Sequence, residues 1–233
     1  MEPMAIQAHR GSPDPSLGIR ENTLEAFVRA RQLGADGVEL DVRMTSDGAL
    51  AVHHDPVIER VGPVAGLSTG QLPVFVPLLD AALDACAGLT VNIEIKNLPG
   101  EPGFDPADHV AAEVVDLVIA TGRESGVVIS SFWPGTLEAV RDADPDLATG
   151  LLLASWADPA QAVTTALSHG CTALHSHVDL VSDAMVEQAH AAGLSVAAWT
   201  VNGTTPLRRA QGAGVDTVIT DDVALARATV GPG

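Results

Sequence analysis

Residues 37–55 read GVELDVRMTSDGALAVHHD, an apolar strand pattern interrupted by charged side chains. Glu39 and Asp41 lie two positions apart, and side chains at that spacing point to the same face of a strand. Asp-Gly at 47–48 is a strong signal for a two-residue hairpin turn. Such a turn would pair Asp41 with His54 and place the two carboxylates and the imidazole on one face, whereas a three-residue turn would shift this register.

The same kind of apolar segment recurs along the chain, and a helical pattern follows each one. The predicted strands are 4–8, 37–42, 90–95, 127–131, 148–153, 172–174, 195–199 and 216–219. The predicted helices are 23–32, 77–87, 106–121, 134–141, 158–168, 182–192, 205–211 and 222–228. Eight strand–helix units in one chain of this length predict an α/β fold, a single (β/α)8 TIM barrel. Residues 49–53 would form the return arm of a short β-hairpin inserted after strand 2.

Local signals support these boundaries. Asn22-x-x-Glu25 is a capping-box pattern before the first helix, and several helices end near a glycine. The alternative is an open doubly wound sheet, but the glycine-rich dinucleotide turn typical of that fold is missing after the first strand. Residues 62–77 are rich in Gly, Pro, Ser and Thr and are predicted to form a loop. We expect residues 1–233 to form a single domain.

Composition restricts the possible partners. The chain is 46% hydrophobic but only 3% aromatic, which suits a buried parallel sheet covered by helices. Its net charge of -18 repels nucleic acid and anionic lipid, so an anionic substrate needs a local cation or a metal. Cys86 and Cys171 are predicted to be core thiols. No apolar stretch reaches the ~18 to 20 residues of a transmembrane segment, and the early first strand leaves no room for a signal peptide, so we expect a cytoplasmic protein.

Charged residues collect where the predicted strands end, and active sites of barrels form at these carboxyl ends. His9 and Arg10 follow the first strand, Glu94 and Lys96 lie in or next to the third, and Trp199 ends another. Charges inside apolar strands are costly unless they are paired or bound to a metal. We expect Trp199 to form an apolar wall of the site.

Three carboxylates without a thiol favour a hard divalent cation, Mg²⁺ or Ca²⁺. The proposed ligands are Glu39, Asp41 and Glu94. Two imidazoles beside a guanidinium and an ammonium group suggest acid–base chemistry on an anion, and a phosphodiester fits. The catalytic candidates are His9 and His54, and the substrate-binding candidates are Arg10, Lys96 and Trp199.

Three other histidines are interpreted by their positions. His53 should point away from His54 because side chains alternate along a strand. His175 and His177 follow the end of a predicted strand, and we expect them at a pocket rim or on the surface.

The ordered set of motifs resembles the glycerophosphodiester phosphodiesterase family across nearly the whole chain. The matching pieces are His-Arg-Gly 9–11, Glu-Asn-Thr 21–23, Gly-Val-Glu-Leu-Asp-Val 37–42, Thr-x-Asp-Gly 45–48, His-Asp 54–55, Ile-Glu-Ile-Lys 93–96, Ser-Ser-Phe 130–132, Trp-Thr-Val-Asn 199–202 and Thr-Asp 220–221. The resemblance implies a metal-dependent barrel that cleaves glycerophosphodiesters to glycerol 3-phosphate and an alcohol. It also implies that the carboxylates hold the metal, that the two histidines transfer protons, and that Arg10 and Lys96 contact the phosphate.

Two departures from the family pattern concern specificity. Residues 56–76 are shorter than the usual insertion and lack its aromatic-bearing segment, and Arg20 stands where a proline is usual. Alternatives are a related enzyme acting on lysophospholipid-like diesters, a metal-dependent aldolase or lyase barrel, and a barrel that binds a phosphorylated ligand without turnover. The sequence leaves open which histidine is the acid, the choice between water and a cyclic-phosphate route, the headgroup, the choice of metal and the oligomeric state.

Overall fold

A computed structural model describes residues 3–231 and confirms the (β/α)8 barrel. Eight parallel strands close on themselves because the first strand pairs with both the second and the last. These strands are β1 (Ala5–Ala8), β2 (Gly37–Met44), β6 (Thr90–Ile95), β7 (Val127–Ser131), β8 (Ala148–Leu153), β9 (Ala173–His177), β10 (Ser195–Trp199) and β11 (Thr217–Thr220). Three short strands lie outside the barrel ring: β3 (Leu50–Val52), β4 (Val57–Ile58) and β5 (Gly62–Pro63).

Eight α-helices accompany the strands of the described chain. They are α1 (Leu24–Gln32), α2 (Leu79–Ala85), α3 (His109–Thr121), α4 (Pro134–Ala143), α5 (Pro159–Ser168), α6 (Asp183–Ala191), α7 (Thr204–Ala213) and α8 (Val223–Val230). Several begin at a side chain that accepts a hydrogen bond from the first turn, as Ser182 does from Met185 and Asp222 does from Leu225. The boundaries of these helices lie within a few residues of the predicted ones.

The main apolar core lies between the strands and the surrounding helices. On β2 it contains Val38, Leu40 and Val42, whereas the residues between them, Glu39 and Asp41, are buried but lie outside this cluster. Because side chains alternate along a strand, the charged residues face the inside of the barrel. The alternation in the sequence thus separates the stabilising core from the polar interior.

His175 occupies this interior and contradicts the prediction that it lies at a rim or on the surface. Strand β9 continues past the predicted end at Leu174, and the His175 side chain is buried. A β-carbon at Gly150 would lie 2.5 Å from the His175 ring, so the glycine provides the space that the ring fills. Burial lowers the pKa of His175 to about 4, which keeps the imidazole neutral.

The predicted hairpin exists, but its register is wrong by one residue. Thr45 pairs with Ala49 around a three-residue turn, and the His53 amide donates to the Asp41 carbonyl at 3.0 Å. Gly48 adopts φ +82°, the left-handed conformation that this longer turn requires of its last residue. Asp41 therefore lies opposite His53, and His54 reaches the site only because the chain leaves the strand pairing after β3.

Residues 56–76 are more ordered than the loop predicted for 62–77. They contain β4, β5 and two short 3₁₀ turns, and they surround a second small apolar cluster. Its buried members are Ala51, Ile58, Val64, Leu67 and Val76. The Asp47 carboxylate accepts a hydrogen bond from the Thr69 amide at 3.0 Å, so the hairpin turn is tied to this inserted segment.

Two further expectations concern cysteines and membranes. Cys86 and Cys171 are free and buried, as predicted for core thiols. Within residues 3–231, none of the helices has the length and apolar character needed to cross a bilayer.

Candidate active site

Three carboxylates meet at the carboxyl end of two neighbouring barrel strands. Glu39 and Asp41 lie on β2 and Glu94 lies on β6, where Asp41 and Glu94 are direct partners in the parallel ladder. Each residue offers an oxygen within 4.8 Å of the other two, and all three side chains are buried. The structure therefore brings together the three residues that the sequence nominates as metal ligands.

Two cations border this cluster. The Lys96 ammonium lies 3.1 Å from Asp41 Oδ1 and 2.5 Å from Glu94 Oε1. Arg10 Nε lies 3.3 Å from Asp41 Oδ2, while the Arg10 backbone amide donates to Glu39 Oε2 at 2.9 Å. Three carboxyl groups thus face two cations, and one oxygen from each carboxyl group converges where a metal ion could bind.

The carboxylates differ in their proton affinity. Burial and the nearby Asp41 charge raise the pKa of Glu39 to about 8. Burial raises the pKa of Glu94 to about 7, although Lys96 opposes the shift. Burial also acts to raise the pKa of Asp41, but Lys96 and Arg10 outweigh it and hold that pKa at about 2. Asp41 is therefore the most acidic member of the cluster.

Asn22 fixes Asp41 and does not cap the first helix as the capping-box pattern predicted. Its amide nitrogen donates to Asp41 Oδ2 at 2.8 Å, and its amide oxygen accepts from the Asp41 backbone at 3.3 Å. Thr23 is the capping residue of α1. Both residues belong to the Glu-Asn-Thr motif, so this stretch combines a helix start with a contact to the site.

His9 is held by the end of the last barrel strand. Its Nδ1 lies 2.7 Å from Asp221 Oδ1, and Asn202 donates to the other oxygen of Asp221 at 2.6 Å. Burial acts to lower the pKa of His9, but the Asp221 hydrogen bond and the Glu39 charge outweigh it, so the pKa is raised. The aspartate occupies Nδ1 and leaves Nε2 available for proton transfer.

His54 carries a similar partner in a different electrostatic setting. Its Nδ1 lies 2.7 Å from Asp55 Oδ1. Burial and the neighbouring Lys96 charge lower the pKa of His54, although Asp41 opposes them. The sequence analysis included Asp55 and Asp221 in its motifs but assigned them no role. Their contacts depend on the folded positions of the two rings.

An apolar wall closes one side of the cavity. Trp199 packs edge-on against Phe132, with ring centroids 5.6 Å apart, and the indole nitrogen donates to the His175 carbonyl at 2.9 Å. The cavity encloses about 160 Å³. His9, Arg10, Glu39, His54, Glu94, Lys96 and Trp199 all line it. Of the nominated residues only Asp41 is not a lining residue, although its oxygens contact Arg10 and Lys96.

A wider groove of about 650 Å³ runs beside this cavity. Arg20 and Phe75 line it, with the guanidinium 4.3 Å from the centre of the phenyl ring. His53 also lines the groove, whereas His54 lines the smaller cavity. Phe75 lies within residues 56–76, so this short segment supplies one aromatic side chain to the groove.

Known proteins share this sequence pattern and this fold. The model of the glycerophosphoryl diester phosphodiesterase family matches residues 9–74 and 65–225. A glycerophosphodiester phosphodiesterase of Caldanaerobacter subterraneus is 32% identical over 93% of both chains, and one of Bacillus altitudinis is 29% identical over 93% of this chain and 94% of its own. The crystal structure of a putative glycerophosphoryl diester phosphodiesterase from Silicibacter pomeroyi superimposes with a TM-score of 0.82 at 27% identity, covering 99% of this chain and 94% of that one.

Fold and site together define an enzyme of the (β/α)8-barrel class with its polar centre at the carboxyl ends of the strands. The family match covers most of the chain and includes every nominated site residue. The chain belongs to the glycerophosphoryl diester phosphodiesterase family.

Proposed function

We propose that this protein, as one domain, hydrolyses glycerophosphodiesters to glycerol 3-phosphate and an alcohol. The observation that carries the proposal is the carboxylate cluster with two histidine–aspartate pairs beside it, His9–Asp221 and His54–Asp55. Such an arrangement suits displacement at phosphorus, which needs charge neutralisation and two proton transfers. A phosphodiesterase of Oleispira antarctica with the same fold, at a TM-score of 0.80, was solved in complex with sn-glycerol-3-phosphate.

A divalent cation fits the cluster of Glu39, Asp41 and Glu94. The cluster is an all-oxygen donor set whose ligand atoms lie within 4.8 Å of one another, and Lys96 pairs with one oxygen of Asp41 and one of Glu94. Hard oxygen ligands of this kind favour Mg²⁺ or Ca²⁺. When bound, such an ion would offset the negative charge on the phosphoryl oxygens. Arg10 and Lys96 would contribute further positive charge to the phosphate.

The two histidines are assigned different roles. The raised pKa of His9 favours the protonated ring, which can donate its Nε2 proton to the leaving alcohol. The lowered pKa of His54 favours the neutral ring, which can accept a proton from the nucleophile. That nucleophile is either water or the neighbouring hydroxyl of the glycerol group, which would give a cyclic phosphate first. Trp199 and Phe132 would hold the glycerol carbon atoms.

The direct test measures product release from a defined diester. Wild-type protein is incubated with glycerophosphocholine, and glycerol 3-phosphate is detected by a coupled enzyme while ³¹P NMR follows all phosphorus species. We expect glycerol 3-phosphate to accumulate, and a transient cyclic phosphate would identify the hydroxyl route. Binding of glycerol 3-phosphate without turnover of any glycerophosphodiester would contradict the proposal and support a barrel that only binds a phosphorylated ligand.

A further inference from the structure

Arg43 is the third charged residue on the inward face of β2, after Glu39 and Asp41. The sequence analysis assigned it no role, yet the alternation that places the two carboxylates inside also places residue 43 there. Its side chain is almost completely buried, at 7% exposure. Burying a guanidinium group destabilises the fold unless its N–H groups donate hydrogen bonds. The partners of the Arg43 N–H groups therefore indicate what the residue does.

These contacts join two segments that carry site residues. Arg43 Nε donates to the His54 carbonyl at 2.8 Å, and Nη1 donates to the Lys96 carbonyl at 3.3 Å. The guanidinium also forms an ion pair with Glu101 at 2.8 Å. One planar side chain therefore contacts the backbone of the proposed base and that of the proposed phosphate ligand.

The hydrogen bond from Arg43 to the His54 carbonyl matters because His54 lies beyond the paired residues of the β2–β3 hairpin. Strand β3 ends at Val52, and the last ladder bond runs from the His53 amide to the Asp41 carbonyl. The His54 ring has Asp55 as its hydrogen-bond partner, and Asp55 is exposed on the same loop. The Arg43 contact therefore connects this loop to the barrel wall at the point where the ring enters the cavity.

We propose that Arg43 is a positioning residue for the proposed reaction, fixing the His54 imidazole relative to Lys96 and the carboxylate cluster. This inference rests on the proposed function at one point, which is the proton-transfer role of His54. Arg43 does not line the candidate active-site cavity but a separate small cavity with Pro56, Ala65 and Gly103, so it acts through the backbone of His54 and Lys96.

Arg123 provides a matched control at the opposite end of the barrel. Its guanidinium also donates to backbone carbonyls, those of Leu83, Cys86 and Leu89, at 2.7–3.2 Å. It has the same kind of structural contact but no connection to the site. Loss of either arginine should lower the melting temperature, and only loss of Arg43 should change catalysis.

The experiment compares Arg43→Met, Arg43→Lys and Arg123→Met with the wild type, each also in a His54→Ala background. Partners that orient site residues typically contribute ~10- to 100-fold to activity. We expect Arg43→Met to lower kcat for glycerophosphocholine by about that factor with little change in KM, and Arg43→Lys to retain part of the rate. In the His54→Ala background neither substitution should lower kcat further, and Arg123→Met should leave kcat unchanged in both backgrounds.

A spectroscopic measurement separates this inference from the proposed function. In ¹H–¹⁵N spectra of the imidazoles, Arg43→Lys should shift or broaden the His54 signals and leave those of His175 in place, whether or not the protein turns over the diester. Unchanged His54 signals would overturn the inference. Wild-type kcat in Arg43→Met, or equal losses with and without His54, would overturn it as well.

Discussion

His9 and His54 each hydrogen-bond an aspartate through Nδ1, but their surroundings shift their pKa values in opposite directions. Glu39 and Asp221 favour the charged form of His9, whereas burial and Lys96 disfavour the charged form of His54. The resemblance nominated both residues without dividing their roles. The opposite pKa shifts depend on distances between segments that are remote in sequence, so the sequence alone could not predict them.

The first prediction separates acid from base. His9→Ala and His54→Ala should each lower kcat by ~10²- to 10⁴-fold, the usual contribution of a positioned proton-transfer group. A nitrophenyl phosphodiester has a leaving group that needs little protonation, so it should restore the rate of His9→Ala and not that of His54→Ala. Steady-state kinetics with both substrates would check this. Rescue of His54→Ala alone would reverse the assignment, and wild-type rates in both variants would exclude the mechanism.

The second prediction concerns the pH dependence of the rate. Asp221 raises the pKa of His9, so Asp221→Asn should lower that pKa. If His9 acts as the acid, activity is lost as the pH rises through the pKa of His9, and the alkaline limb of the kcat/KM profile should therefore move to lower pH in Asp221→Asn. Asp55→Asn serves as the comparison, because it should change the acidic limb. An unchanged alkaline limb would show that Asp221 does not control the acid.

Sequence reasoning found the charged residues of the site more readily than the residues that hold them. Glu39, Asp41 and Glu94 are conspicuous because charges interrupt apolar strands. Asn22 is not conspicuous, since an asparagine before a helix has an ordinary explanation as a cap. Its contacts with Asp41 require the chain after β1 to pass over the end of β2.

At the level of elements, the hairpin after β2 shows why a turn signal does not fix a register. Asp-Gly is compatible with two-residue and three-residue turns, and the structure has the longer one, with Gly48 in the left-handed region. The one-residue shift places His53 opposite Asp41. His54 still lines the cavity, and Arg43 donates to its carbonyl oxygen at 2.8 Å where the chain leaves β3.

A third prediction tests this turn. Gly48 has φ +82° and open space around its α-carbon, so an added methyl group would cost backbone strain without a clash. Gly48→Ala should lower the free energy of unfolding by about 1–2 kcal/mol, the cost of the left-handed conformation for an ordinary residue. Gly126→Ala is the matched control, because Gly126 has equal space and lies outside the left-handed region. Urea unfolding of both variants would measure the two changes. Equal decreases in the free energy of unfolding for Gly48→Ala and Gly126→Ala would contradict the account.

The fourth prediction concerns the inserted segment and the alcohol group. Residues 56–76 leave a wide groove beside the cavity, so we expect similar kcat/KM values for glycerophosphodiesters with different alcohols, including lysophospholipid-like ones. Phe75→Ala should raise KM for diesters with bulky alcohols and leave the affinity for glycerol 3-phosphate unchanged. A panel of diesters, with Ile119→Ala as a control for loss of a remote exposed side chain, would test both statements. A strong preference for one alcohol would show that other loops enclose the site.

At the scale of the whole molecule, the barrel was predictable because its pattern repeats. Each apolar strand is followed by a helix with its own start and end signals, so an error in one element does not change the architecture. Closure also explains how remote motifs meet: β1 pairs with β11, which brings His9 next to Asp221. The polar interior could be predicted only in part, since a histidine near a strand end does not reveal that a glycine opposite, Gly150, leaves room to bury it.

The most direct test of the account is the metal dependence of glycerol 3-phosphate release. Three buried carboxylates repel one another, and a cation that binds only the folded state also stabilises it. Wild-type protein and Glu94→Gln are assayed with glycerophosphocholine after chelation, and again after addition of Mg²⁺ or Ca²⁺, with melting temperatures measured in parallel. We predict that chelation abolishes release and lowers the melting temperature, that added metal restores both in the wild type, and that Glu94→Gln needs more metal. Full release in excess chelator would contradict the central claim.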